Sequence, residues 1–269
     1  MERIRAGAPT LAVHRVGSGP ALLLLHGFTL DHTMWDAQAA ALGDVATCVV
    51  PDLRGTAGSP CGGAAVLTMR GHAADAVAVL DALGIERADV AGHSMGGYVA
   101  LARLEDHPER VRSVALIGSR AAGESPDRRV RRDASVARLR SAGRAVWARE
   151  LLPWLVPDDA PASVRDRVLA MIERVPEDAL AAGLLGLRDR ADRTHVLSTV
   201  RVPALVLCGD RDALTPAAES SAMARAMLHA AGGARLVIVP GCGHMSPMEA
   251  PAAVNHALRA FLLSFDRTT

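Results

Sequence analysis

Residues 90–97 read Val90-Ala91-Gly92-His93-Ser94-Met95-Gly96-Gly97, and the reading of this stretch decides the fold. It holds the pattern G-x-S-x-G between a short apolar run, Ala88 to Ala91, and a helical stretch, Met95 to His107, stopped by Pro108. A serine on so sharp a strand-to-helix turn is forced into a strained backbone conformation, a nucleophile elbow, with its hydroxyl exposed above the sheet. Side chains two residues to either side would collide, which accounts for Gly92 and Gly96, and Gly97 lets the helix approach the sheet closely. The N-terminus of that helix favours negative charge at Ser94.

Working outward, Thr10 to Val16 is expected to be a strand, and Ala21 to Leu25 a strand buried on both faces. Ala46 to Val50 has the same character. Met69 to Leu83 has helical spacing and is closed by Gly84, and Val111 to Ile117 is another strand. Alternation of this kind predicts a parallel sheet with right-handed crossovers. From Ser119 to Thr199 the pattern changes to amphipathic helices without strands, punctuated by Pro153, Pro157, Pro161 and Pro176. The rhythm then resumes with a strand Ala204 to Cys208, a helix Pro216 to Ala230, a strand Leu236 to Val239 and a helix Ala252 to Leu263. One α/β core, residues 1–118 and 200–269, is thus expected to be interrupted by a helical cap, residues 119–199.

Composition narrows the chemistry. The chain has 269 residues, a formal net charge of +1 and no lysine, all 30 basic residues being arginine. Schiff-base chemistry and a Walker-type lysine are excluded, and nothing in the net charge steers the chain to nucleic acid. The four cysteines, Cys48, Cys61, Cys208 and Cys242, form no metal-finger spacing, so neither a metal nor an organic cofactor is expected. Cys242, close to His244, is expected to be a buried spectator. The charged start, Met1 to Arg5, lacks the apolar core of a signal peptide, and no stretch is apolar enough to span a bilayer. A cytoplasmic protein without membrane contact is the expectation.

A serine nucleophile needs a base, and the base needs an orienting acid. Among the downstream histidines only His244 sits in a loop after a strand, Pro240-Gly241-Cys242-Gly243-His244. The strand Ala204 to Cys208 runs into Gly209-Asp210-Arg211-Asp212, placing two acids at a strand's C-terminal end. Asp212 is the preferred acid and Asp210 the alternative. The oxyanion would be held by the backbone N–H groups of Met95 and of Phe28, in the loop His26-Gly27-Phe28-Thr29. His26 is expected to fix that loop by hydrogen bonding.

Taken together, His26-Gly27-Phe28, Asp52-Leu53-Arg54-Gly55, Gly92-His93-Ser94-Met95-Gly96-Gly97, Gly209-Asp210-Arg211-Asp212 and Gly243-His244 resemble the α/β-hydrolase superfamily in order and spacing. The resemblance is strongest to its small esterase and 3-oxoadipate enol-lactonase branch. It implies an α/β-hydrolase fold, a mostly parallel sheet flanked by helices with the cap inserted after the sixth strand. It also implies a serine hydrolase acting on a small-molecule ester or lactone through an acyl-enzyme. Some enzymes of this fold carry the acid after the strand before the cap, but that position here reads Gly118-Ser119-Arg120 without a carboxylate. The segment Thr56-Ala57-Gly58-Ser59 departs from the family's usual His or Phe, Gly, small residue. The cap arginines suggest an anionic substrate group, with Arg120 the candidate ligand. C–C bond hydrolysis, a non-hydrolytic biosynthetic reaction and a ligand-binding, non-enzymatic member remain alternatives, and the oligomeric state is open.

Overall fold

The structure is a computed structural model that describes residues 2–5 and 10–267. Among the described residues eight strands form one sheet: β1 (Glu2–Arg5), β2 (Thr10–Val16), β3 (Ala21–Leu25), β4 (Thr47–Pro51), β5 (Ala88–His93), β6 (Val111–Ile117), β7 (Ala204–Gly209) and β8 (Arg235–Val239). Their order is β1-β2-β4-β3-β5-β6-β7-β8, antiparallel where β2 meets β1 and β4 and parallel elsewhere. The order reverses between β3 and β5. Their carboxyl ends therefore diverge there and leave a crevice, the usual ligand position in such sheets.

The five leucine and alanine residues of β3 are all buried, as expected of a strand covered on both sides. Leu23 and Leu25 pack with α2 (Met69–Ala82) and α3 (Met95–Asp106). Leu22 and Leu24 face the other way, with α1 (Asp36–Leu42) and α11 (Pro251–Leu262). Two apolar layers thus lie on the two faces of one pleated sheet.

Between β6 and β7 lie α4 (Pro126–Ala142), α5 (Arg144–Leu155), α6 (Ala162–Arg174), α7 (Glu177–Arg188) and α8 (Thr194–Thr199). The apolar faces of α4 to α7, including Val136, Trp147, Val168 and Leu180, join the layer that contains Leu22 and Leu24, whereas Val196 and Leu197 of α8 join the layer on the other face. The helical segment is therefore packed into the core. Pro161 and Pro176 precede α6 and α7 as expected, whereas Pro153 lies inside α5. There Pro153 cannot donate to the Arg149 carbonyl, and α5 ends two residues later. The helix expected over Pro216 to Ala230 is shorter, α9 (Ala217–Ala226), and a one-turn helix α10 (Ser246–Glu249) follows His244. Among the described residues no helix is long and apolar enough to cross a membrane.

Candidate active site

Ser94 joins β5 to α3 with φ +51° and ψ −113°, a conformation that costs a non-glycine residue roughly 1–3 kcal/mol. The surrounding glycines make it possible. A Cβ on Gly92 would lie 2.3 Å from the Gly96 carbonyl oxygen, and one on Gly96 would lie 2.1 Å from that of Leu25. At Gly97 a Cβ would fall 2.3 Å from Ser119 Oγ, which donates to the Ser94 carbonyl at 2.9 Å. Gly97 therefore makes room for the side chain that ties down the elbow.

His244 lies in the loop after β8, at the wall of the cavity that Ser94 also lines. Its Nδ1 is 2.8 Å from Asp212 Oδ2. The backbone N–H groups of Leu214 and Thr215 donate to Asp212 Oδ1 at 2.9 and 2.8 Å, and Thr215 Oγ1 donates to Oδ2 at 2.5 Å. Burial opposes ionisation of Asp212, but the charge and hydrogen bond of His244 and the Thr215 donors outweigh it, so the carboxyl sits below its ordinary value. An ionised Asp212 accepts from the His244 Nδ1–H, so in a neutral imidazole the lone pair is on Nε2. Asp210, the alternative acid, accepts from the Gly241 N–H at 2.7 Å and braces the loop before His244. Gly118, after β6, sits so close that a Cβ would lie 3.4 Å from both Asp212 Oδ2 and the His244 ring. The lack of a carboxylate there leaves space for the pair.

The loop after β3 is fixed by His26, as expected. Its Nε2 accepts from the Leu53 N–H at 2.8 Å, so Nδ1 carries the proton and donates to the Gly27 carbonyl at 2.8 Å. Thr56 Oγ1 lies 3.2 Å from the same Nε2, so the atypical Thr56-Ala57-Gly58-Ser59 segment is built into this brace. Phe28 lines the cavity, and Met95 is buried as the first residue of α3. Neither backbone N–H donates to a loop or side-chain acceptor among the described residues.

The cavity is narrow, about 60 Å³, with walls of Phe28, Leu30, Leu151, Leu155, Leu187 and Leu214. Arg120 is not among its lining residues, which corrects the expectation that it meets the substrate here. Its guanidinium is captured by the Leu214 carbonyl and faces Glu219 at 3.2 Å, on the far side of the Asp212 loop. The arginine that does line the cavity is Arg132 of α4, paired with Glu124 at 3.2 Å. Cys242 is buried, its thiol pushed up to about 11 by burial, and it does not line the cavity.

His93 precedes Ser94 in the chain, and no local sequence pattern assigns it a role. It is fully buried, and its Nε2 donates to the His244 carbonyl at 2.8 Å. Burial, followed by the charge of His244, lowers its pKa to about 3. His72 in α2 is likewise held at about 3 by burial. With unfolded values of 6.5, the unfolded chain takes up these protons first as pH falls. Stability is thus complete above about pH 6.5 and is lost from there down to about 3, by about 3 kcal/mol per pH unit for the two groups. Urea unfolding at pH 7, 6 and 5 is expected to show this steep loss, made shallower by His93→Gln. A midpoint independent of pH over that range would show that the two rings are not buried neutral.

Residues 20–251 match the model of a protein family described as the alpha/beta hydrolase fold. The chain is 31% identical over 261 residues to the putative carbamate hydrolase RutD of Caulobacter sp. (strain K31), covering 93% of this chain and 94% of that one. It is 34% identical over 259 residues to the dihydrolipoyllysine-residue acetyltransferase component of the acetoin cleaving system of Pseudomonas putida. That match covers 91% of this chain and 64% of that protein, so the chain spans under two thirds of its length. Among solved structures it resembles a thermophilic esterase from Thermogutta terrifontis, with a TM-score of 0.90 and 35% identity over 96% of this chain and 95% of that one. It also resembles the enol-lactonase from Burkholderia xenovorans LB400, with a TM-score of 0.89 and 26% identity over 98% and 100% of the two chains.

Proposed function

The chain belongs to the α/β-hydrolase family and is a hydrolase, and from that premise we propose that it cleaves small carboxylic esters or lactones through Ser94, His244 and Asp212. The observation that carries the proposal is the hydrogen-bonded pair His244–Asp212 at the wall of the cavity lined by the strained Ser94.

Ser94 Oγ attacks the carbonyl carbon while His244 Nε2 takes its proton. The N–H groups of Phe28 and Met95 receive the oxyanion. Collapse of the tetrahedral adduct breaks the ester bond, and His244 gives its proton to the leaving alcohol. Water, deprotonated by His244, then attacks the acyl-enzyme and releases the acid and Ser94. Asp212 stays ionised and stabilises the imidazolium in both halves. A named esterase and a named enol-lactonase among the similar structures support the substrate class.

The shape of the cavity sets the acyl length. A volume of about 60 Å³ holds roughly four water-sized spheres, enough for a few carbon atoms. In a p-nitrophenyl ester series, kcat/KM is expected to peak between acetate and butyrate and to fall at least about tenfold by octanoate, since unfitted methylenes each cost about 1 kcal/mol. Turnover of none of these esters and of no simple lactone would overturn the proposal. A rise through octanoate would overturn the size argument alone.

A further inference from the structure

A second cavity is larger than the one beside Ser94. A groove of about 360 Å³ lies where the segment 120–128, α8 and α9 meet, and its volume is within the range of small-ligand sites. Leu197, Met223 and Ala226 form its apolar wall, and Arg120 and Arg128 bring two guanidinium groups to it.

The two arginines are incompletely matched by acids. Arg120 is 6% exposed, and its Nε, although 3.2 Å from Glu219 Oε2, makes no hydrogen bond. Arg128 is half-buried, and its guanidinium has neither a hydrogen bond nor an ion pair among the described residues. Burial and the nearby Arg120 both disfavour its charge. The acids around it are otherwise engaged. Glu124 is within 4 Å of Arg132 and Arg190. Asp192, behind the wall, accepts from the backbone N–H groups of Gly123 and Thr194. Two adjacent cations with one half-exposed carboxylate, beside an apolar wall, are costly without a counter-charge.

We propose that this groove is a second ligand site, separate from the Ser94 cavity, for a small amphiphilic carboxylate. The carboxylate pairs with the Arg128 guanidinium, beside Arg120 and its partner Glu219, and its aliphatic tail lies along Leu197, Met223 and Ala226. Arg120 also holds the carbonyl of Leu214, two residues beyond Asp212. The bound anion therefore lies beside the guanidinium that holds this loop.

Isothermal titration of the full chain with sodium octanoate, with octanol as the uncharged control, tests the site. The wild type is expected to bind one octanoate per chain, at least about tenfold tighter than octanol, a factor equivalent to about 1.4 kcal/mol. Arg128→Ala is expected to remove that preference for the anion. Ala222→Trp, at an exposed position on the groove's edge, is expected to block both ligands. Both substitutions lie outside the core, so an unchanged thermal midpoint verifies their folding. No saturable octanoate binding in the wild type would overturn the site, as would binding indifferent to both substitutions. Neither result bears on the role of Ser94, which the ester series tests separately.

Discussion

Replacing Ser94 with alanine is expected to lower kcat/KM for a short-chain ester by about four orders of magnitude or more, with the thermal midpoint nearly unchanged. The size follows from what remains. Without the hydroxyl no acyl-enzyme forms, and only oxyanion stabilisation and positioning persist, as in other triad enzymes whose nucleophile is removed. The fold tolerates the change because the Ser94 side chain caps no helix, while its carbonyl keeps the bond from Ser119 Oγ. Full ester turnover by Ser94→Ala would remove the serine from the mechanism.

The two aspartates after β7 make the second contrast. Asp212→Asn is expected to cost about 10³–10⁴ in kcat, because an amide at Oδ2 either faces the His244 Nδ1–H with a donor or fixes the wrong tautomer. Asp210→Asn is expected to cost less than about tenfold. Its acceptor bond to the Gly241 N–H can be kept by the amide oxygen, and it does not reach the imidazole. Equal losses at the two positions would show that the loop as a whole, and not the His244–Asp212 bond, limits activity. The measurement is steady-state kinetics at pH 7.5.

Much of this architecture was legible in the chain because burial on two faces leaves a plain trace. β3 and β6 occupy the spans their aliphatic runs predict, and the glycines about Ser94 stand where a Cβ would collide with neighbouring atoms. Elements with little pattern leave no such trace. β1 is four residues, three of them charged, Glu2-Arg3-Ile4-Arg5, and pairs antiparallel with β2. α10 is a single turn, too short for a helical period. The arginines were the hardest to place. α4 carries six of them, at 128, 129, 131, 132, 138 and 140, and its buried side chains are only Val136 and Leu139. So weak an apolar stripe does not say which arginine faces inward. Docking of the helix brings Arg132 to the Ser94 cavity and Arg128 to the second groove, while the turn after β6 carries Arg120 away from the cavity where the anionic reading put it. The role of His93 is hidden for a related reason. Its partner is the carbonyl of His244, 151 residues away, which no local pattern encodes.

The most direct test is the rate and site of labelling by a fluorophosphonate, read by intact mass and peptide mapping. The account predicts one adduct per chain, on Ser94, with a rate that falls at least about a thousandfold in His244→Ala. An unlabelled Ser94, or labelling equally fast without the imidazole, would contradict it.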